Sequence, residues 1–327
     1  MESQKPNLVF FGTPEFAVIV LEKLIAAGYL PVAVVCNPDE PIGRKQILTP
    51  PPVKQFIAKN KLPIEILQPS TKSELLAISH GLKIIKPKLA IIAAYGKIIP
   101  KEILDIPFWG FINVHPSLLP KYRGASPIQH AILNGDKETG VTIMKVDKEM
   151  DHGSIFGKSE IQISKSETYE SLYKKLAELG AELLIKMIPD YISGKIKPAP
   201  QNHSQATYTK IIKKEDGKID WTKNAIEIER MTRAYYPWPN AWTVCDGKIL
   251  KILEAETAKY KNNDYKIGEV FLLQHSNILK NVGMLLSVKC GDGVLIIKKL
   301  QLEGGKVLSA KEFLNGHQNF IGSILNS

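Results

Sequence analysis

The side chains best suited to chemistry stand in one short run, Asn113-Val114-His115-Pro116-Ser117-Leu118-Leu119-Pro120. In an extended strand, residues two apart point to one face, so Asn113 and His115 share a face. Pro116 biases His115 away from helical geometry and keeps it extended. An amide donor beside an imidazole suits two tasks, stabilising an oxyanion and shuttling a proton. A polar strand end without chemistry fits the same spacing. A carboxylate follows in Met150-Asp151-His152-Gly153. Asp-x-Gly is ordinary turn chemistry, yet a turn folded back towards Asn113 lets Asp151 orient His115 and hold it cationic, because a neighbouring carboxylate favours the charged imidazole. Spacing alone does not bring the two segments together.

Such residues need a frame that presents strand ends. Short apolar runs at Asn7 to Phe11, Pro31 to Cys36, Ile64 to Leu67, Lys88 to Ala94 and Phe111 to Val114 read as buried strands. Helical patterns lie between them: one starting at Thr13 as N-cap with Pro14 at the first position, others at Val53 to Asn60 and Thr71 to Lys86. A helix from Pro127 to Asn134, strands at Val141 to Val146 and Ser154 to Ile163, and a long helix from Thr168 follow. This alternation predicts an α/β domain with a Rossmann-like, mainly parallel sheet covered on both faces. Ligands gather at the carboxyl ends of such strands, which marks the residues after Phe11, Ala94 and Val114.

Residues 193–206 are polar and proline-bearing and read as a linker. The chain is thus expected to form one domain over 1–192 and a second over 207–327. In the second, a helix near Thr222 to Tyr235 precedes short apolar runs separated by turn signals such as Asp246-Gly247 and Gly291-Asp292-Gly293. That pattern predicts a small barrel or sandwich. Trp238 reads as a core or hinge aromatic.

At 327 residues the chain is long enough for two cores, and 44% hydrophobic against 23% charged residues excludes a disordered class. The N-terminus lacks the basic stretch and long apolar run of a signal peptide, and the Leu89 to Ala94 run is far shorter than the ~20 residues that span a bilayer. A soluble protein is expected. Cys36, Cys245 and Cys290 lie far apart, with no C-x-x-C pair, which suggests a reducing compartment and no metal-ligand spacing. The formal charge of +10 points to a polyanionic partner, nucleic acid first. It is shared as 25 basic against 20 acidic residues before Thr207 and 18 against 13 from there on, so the shorter second part is the more densely positive.

Asn113-x-His115-x-Ser117-Leu118-Leu119-Pro120 followed by Asp151-His152-Gly153 resembles the catalytic pattern of the 10-formyltetrahydrofolate-dependent formyltransferase family. Arg123-Gly124-Ala125-Ser126-Pro127-Ile128-Gln129 and Glu138-Thr139-Gly140-Val141-Thr142 extend the match. Phe11-Gly12-Thr13-Pro14-Glu15-Phe16, Ala206-Thr207-Tyr208, Ile219-Asp220-Trp221 and Arg233 to Pro239 carry it over the whole chain, within the branch whose acceptor is initiator methionyl-tRNA. The resemblance implies formyl transfer from 10-formyltetrahydrofolate, consumed as co-substrate, to an α-amine, with no metal. It implies Asn113 and His115 as donors to the oxyanion and Asp151 as the group that keeps His115 protonated and relays the amine proton. Folate would be lined by Ser117, Leu118, Leu119 and Pro120, by Tyr95, Gly96 and Ile98, and by Val146 and Asp147. The second domain would be an OB-like barrel that binds tRNA. The long connection from Asn37 to Pro52, with Arg44 and Lys45 at its centre, would reach the acceptor stem. In that loop Glu40 and Ile47 replace residues that are often basic, and Lys45 stands where glycine is common. A cytoplasmic monomer completes the expectation. A sugar-nucleotide formyltransferase, a formyltetrahydrofolate hydrolase and a catalytically silent RNA-binding protein are the alternatives.

Overall fold

The computed structural model describes residues 5–43, 45–260, 264–274 and 284–326. The chain divides into two compact units. The first runs up to Pro127 and includes Glu138–Gln162 and Leu172–Lys210, and the second takes Ile128–Lys137, Ile163–Ser171 and the chain from Ile211 onward.

The first unit is built on a seven-stranded sheet. Its strands are β1 (Leu8–Gly12), β2 (Ala33–Val35), β3 (Glu65–Leu67), β4 (Leu89–Ala93), β5 (Phe111–His115), β6 (Glu138–Lys145) and β7 (Ile155–Gln162). They lie in the order β7-β6-β5-β4-β1-β2-β3. The five strands from β3 to β5 are parallel, while β6 runs antiparallel to β5 and β7 antiparallel to β6. β1 is buried at every position, as expected of a strand covered on both faces. On one face Val9, Phe11, Ala90 and Phe111 pack with Leu75 and Leu82 of the Lys72–Ile85 helix and with Ile103. On the other, the Tyr169–Ile192 helix lies close against the sheet. A side chain at Gly180 would stand 2.5 Å from Val114 Cγ1 and 3.0 Å from Val141 Cγ1, so only glycine lets this helix approach β5 and β6 so closely.

Three local features differ from the sequence reading. The first helix, Glu15–Ala26, begins after Pro14, with no side-chain cap from Thr13. Thr13 Oγ1 instead accepts the Asn37 N–H at 3.1 Å and ties the loop after β1 to the loop after β2. The connection from Asn37 to Pro52 contains a small antiparallel hairpin, Glu40–Ile42 with Ile47–Thr49. The stretch expected to be a linker is held to the first unit. Ala199 and Ile155 exchange backbone hydrogen bonds of 2.7 and 2.8 Å, and Tyr208–Thr209 pairs in parallel with Arg123–Gly124.

In the second unit, β8 (Ala241–Cys245), β9 (Lys248–Ala258), β10 (Val270–Leu273), β11 (Leu285–Lys289), β12 (Val294–Leu302) and β13 (Leu308–Ser309) form an antiparallel sheet. Its order is β8-β9-β12-β11-β10, with β13 on β12. Burial alternates along β8, the mark of a strand with one covered face. The chain's end touches both edges of this sheet, Asn326 pairing with Val244 of β8 and Ile324 with Glu269 next to β10. Trp221 is buried and donates from Nε1 to Thr243 Oγ1 at 3.2 Å. Trp238 is 57% exposed, which corrects its reading as a core aromatic. The Ala310–Gly316 helix was not expected, although Ser309 and Glu312 form the capping box that announces it.

Cys36, Cys245 and Cys290 are free and buried. Burial pushes the Cys36 thiol up to about 11 and the Cys290 thiol up to about 12, which removes both from thiolate chemistry near neutral pH. Among the described residues no helix is long and apolar enough to cross a membrane.

Candidate active site

β5 carries Asn113 and His115 between β4 and β6, paired with Ile92 and Met144 at Asn113 and with Thr142 at His115. The turn between β6 and β7 brings Asp151 back over this strand. Asp151 Oδ1 lies 3.5 Å from Asn113 Nδ2 and 3.6 Å from His115 Nδ1. Asp151 Oδ2 accepts the Gly124 N–H at 2.8 Å. The three residues whose spacing left their meeting open therefore converge on one carboxylate oxygen, across 38 residues of chain. Separations near 3.5 Å lie beyond a strong hydrogen bond.

His115 is buried, and its Nε2 lies 3.0 Å from the Tyr122 carbonyl. A carbonyl only accepts, so this nitrogen carries a proton. Both ring nitrogens thus face acceptors. Nothing in the sequence signalled Tyr122, because its part is played by the backbone.

The turn itself depends on glycine. A side chain at Gly153 would stand 1.9 Å from the Lys145 carbonyl oxygen, so the last residue of Asp-x-Gly has no substitute there. Asp151 sits in the left-handed region at φ 50°, which aspartate tolerates better than most residues. Inside the turn, His152 Nδ1 lies 2.7 Å from Asp147 Oδ2, and the His152 ring stacks on His203 at 4.0 Å.

The residues expected around a folate fall into three environments. Ser117 and Leu119 are buried, and Thr142 pins their loop to β6. Its hydroxyl donates to Ser117 O at 2.6 Å and accepts from Leu119 N–H at 3.1 Å. Leu118 and Pro120 are half-buried. Tyr95 points into the core, edge-on to Phe11 at 5.4 Å, and its hydroxyl has no hydrogen-bond partner. Burial, with Cys36 adding a smaller effect, pushes this phenol up to about 12 and keeps it neutral. Gly96 takes φ 80° in open space and Ile98 is exposed. Val146 packs against the same core as Tyr95 and lines a cleft with Asp147, Phe108, Phe111 and His152.

Of the residues expected at the tRNA, Arg44 lies outside the described residues. Lys45 is exposed at the turn of the hairpin. Ile42, Ile47 and Leu48 are exposed by 57, 61 and 66%. The root of this hairpin is polar and well held. Lys54 Nζ donates to both Asp39 oxygens at 2.8 and 2.9 Å, and Gln68 Nε2 donates to Asp39 Oδ1 and to Asn37 O, both at 2.9 Å.

Comparison with known proteins finds two family matches along the chain. Residues 6–188 match the family described as formyl transferase, and residues 211–318 match formyl transferase, C-terminal domain. The methionyl-tRNA formyltransferase of Caldicellulosiruptor saccharolyticus is 44% identical over 323 residues, covering 98% of this chain and 100% of the relative. That of Myxococcus xanthus is 41% identical over 319 residues, with coverages of 98% and 97%. Among solved structures, HypX from Aquifex aeolicus in complex with tetrahydrofolic acid superposes with a TM-score of 0.63 at 17% identity. That match covers 97% of this chain but 48% of HypX, so the chain spans about half of HypX. The sugar 3N-formyl transferase WlaRD superposes with a TM-score of 0.60 at 22% identity, covering 90% of this chain and 97% of WlaRD. At such identities the two structures speak for the fold alone.

Proposed function

The chain belongs to the formyl transferase family, and from that premise we propose that it transfers the formyl group of 10-formyltetrahydrofolate to the α-amine of initiator methionyl-tRNA. Identity above 40% to methionyl-tRNA formyltransferases over nearly the whole chain supports the acceptor. The observation that carries the chemistry is the convergence of Asn113 and His115 on Asp151.

In this reading the amine attacks the formyl carbon, and negative charge develops on the former carbonyl oxygen. Asn113 Nδ2 and His115 Nε2 donate to that oxygen, His115 giving up its contact with the Tyr122 carbonyl. Asp151 faces His115 Nδ1, takes the proton that the amine sheds and passes it to N10 of the folate as the bond between N10 and the formyl carbon breaks and tetrahydrofolate leaves. Preorganised donors of this kind act most strongly where charge appears. The folate lies against Ser117 to Pro120, Gly96, Ile98, Val146 and Asp147, with Tyr95 serving as the wall behind them. No metal is called on for any of these steps.

Three further readings belong to the same proposal. The second unit is an OB-type barrel that binds tRNA, supported by the chain end that reaches both edges of its sheet and by its excess of basic residues. Arg44 and Lys45, on the hairpin connection, meet the acceptor stem of the tRNA. The enzyme works as a cytoplasmic monomer, for which a mass measurement in solution is the check.

The test is a formylation assay with 10-formyltetrahydrofolate and three acceptors: initiator methionyl-tRNA, elongator methionyl-tRNA and a sugar-nucleotide amine. Rapid formylation of the initiator alone is expected. Transfer to the sugar, or release of formate to water, with neither tRNA modified, would overturn the acceptor and leave the catalytic residues standing.

A further inference from the structure

Arg123 is 2% exposed, yet among the described residues none of the acceptors around its guanidinium is a carboxylate. Nε and Nη2 donate to Gln201 Oε1 at 3.2 and 2.7 Å, Nη2 donates to His203 Nδ1 at 2.8 Å, and Nη1 donates to the Tyr208 hydroxyl at 3.2 Å. A buried cation without a counter-charge is costly to keep. What it secures lies at the far end of Gln201. Because Arg123 only donates, Gln201 must turn its oxygen towards the guanidinium and its NH2 away from it. That NH2 donates to the carbonyls of Asp151 at 2.9 Å and Gly153 at 2.8 Å. Both hydrogens of the amide are thus spent on the turn that carries the carboxylate.

The residue after Arg123 completes the hold. Gly124 N–H donates to Asp151 Oδ2 at 2.8 Å. Asp151 is therefore gripped at its carbonyl by Gln201 and at its carboxylate by Gly124, while its backbone occupies the left-handed region. Arg123 and Gln201 are 78 residues apart, and the backbone that supports each is fixed separately. Arg123–Gly124 is paired with Tyr208–Thr209, and Ala199, two residues before Gln201, is paired with Ile155. The segment 199–209 is a strap across the turn.

We propose that Arg123 and Gln201 are positioning residues for the transfer reaction, with Gln201 fixing the turn that aims the Asp151 carboxylate at Asn113 and His115. This rests on the reading of Asp151 as the carboxylate of the reaction. Neither residue touches the reacting groups, so each acts through Asp151.

The decisive variant is Gln201→Glu, which keeps acceptors for Arg123 but removes both N–H bonds to the turn. Gln201→Ala removes all contacts and serves as its companion. Misplacement of a reacting group by about 1 Å costs on the order of 10² in rate, so kcat should fall roughly 10- to 100-fold in Gln201→Glu. KM for folate and for tRNA should stay within about twofold, because no substrate contact is lost. The second measurement is the double variant with Asp151→Asn. Groups that act through one another are not additive, so Gln201→Glu should cost less than about twofold once Asp151 is already changed. A merely structural role would lower activity by the same factor in both backgrounds. Equal factors, or a parent-like kcat in Gln201→Glu, would overturn the proposal. Asp151→Asn with parent-like kcat would instead overturn the reading of the site, and the proposal with it.

Discussion

The turn at Asp147–Gly153 and the hairpin at Glu40–Thr49 belong to the same unit but are built in opposite ways. The turn is bonded from every side: Gln201 at two carbonyls, Gly124 at a carboxylate oxygen, and His203 stacked on its histidine. The hairpin, among the described residues, pairs with itself and is tied down at its root by Lys54 and Gln68 on Asp39, and it leaves Ile42, Ile47 and Leu48 to solvent. A carboxylate that must meet a transient charge needs its geometry fixed in advance. A segment proposed to engage a large, separately folded substrate gains from surface that remains uncovered until the substrate arrives. The contrast can be broken by experiment, because changes in the turn should act on turnover and changes in the hairpin on substrate affinity.

The largest effect should come from the convergent residues. Asn113→Ala and His115→Ala each remove one of the donors proposed for the oxyanion and should lower kcat by about 10²–10³, with KM for tRNA little changed. Steady-state kinetics with both substrates varied separates the two constants. Turnover near that of the parent in both variants would show that the convergence has no part in the reaction.

Next comes the frame of the turn. Gly153→Ala places a methyl group 1.9 Å from the Lys145 carbonyl oxygen, and either the turn or β6 must shift. Overpacking of this kind costs about 1–3 kcal/mol, and activity should fall further than stability because Asp151 moves with the turn. Thr142→Val is the milder companion. It removes the hydroxyl that joins Ser117 O to Leu119 N–H inside the protein, and an unpaired buried group costs about 1–3 kcal/mol. Chemical denaturation and kcat, measured on the same samples, test both. A Gly153→Ala enzyme with full activity would mean that the turn tolerates displacement.

How much of this was legible beforehand depends on the range of the contact. Asn113 and His115 were placed on one face by strand periodicity, a local rule, and the parallel sheet followed from the alternation of short apolar runs with helical patterns. Asp151 could be named but not placed, because nothing in a 38-residue interval fixes how a turn folds back. Gln201 and His203 carried no signal at all, and Arg123 stood only as the first residue of the Arg123 to Gln129 match, with no role attached to it. Gln201 and His203 lie in Lys195-Ile196-Lys197-Pro198-Ala199-Pro200-Gln201-Asn202-His203, whose prolines and polar residues have the composition of a free linker. Its order comes from pairing with Ile155 and Arg123, partners distant in the chain. The setting of Tyr95 was hidden for a related reason: its position after β4 is read from the chain, but the packing of its ring in the core beside Phe11 is a distant contact.

On the other side of the comparison, Ile47→Ser and Leu48→Ser should leave stability within about 0.5 kcal/mol, as expected for exposed positions. KM for tRNA should rise several-fold with KM for folate unmoved, and Arg44→Ala should act in the same direction and weaken the salt dependence of tRNA affinity. Thermal unfolding and tRNA binding at two salt concentrations supply the readings. A fall in kcat without a change in KM would remove the distinction between the two regions.

The smallest effect concerns the hairpin's root. The hydrogen bond from Lys54, then that from Gln68, holds the Asp39 carboxyl below the usual carboxylate range. A lowered folded-state pKa stabilises the structure fully above the unfolded value of about 3.9, and that contribution is lost as pH falls through the folded value. Protection of the hairpin amides against hydrogen exchange should therefore be constant from about pH 8 to 5 and decline only in stronger acid. Asp39→Asn removes the charge at every pH and should show the lower protection already at pH 7, with kcat unchanged. The partners of Asp39 among the described residues are Lys54 and Gln68, so the amides of the Asp147–Gly153 turn should not respond. If they did, or if Asp39→Asn left the hairpin as protected as before, the root would not be what separates the two regions.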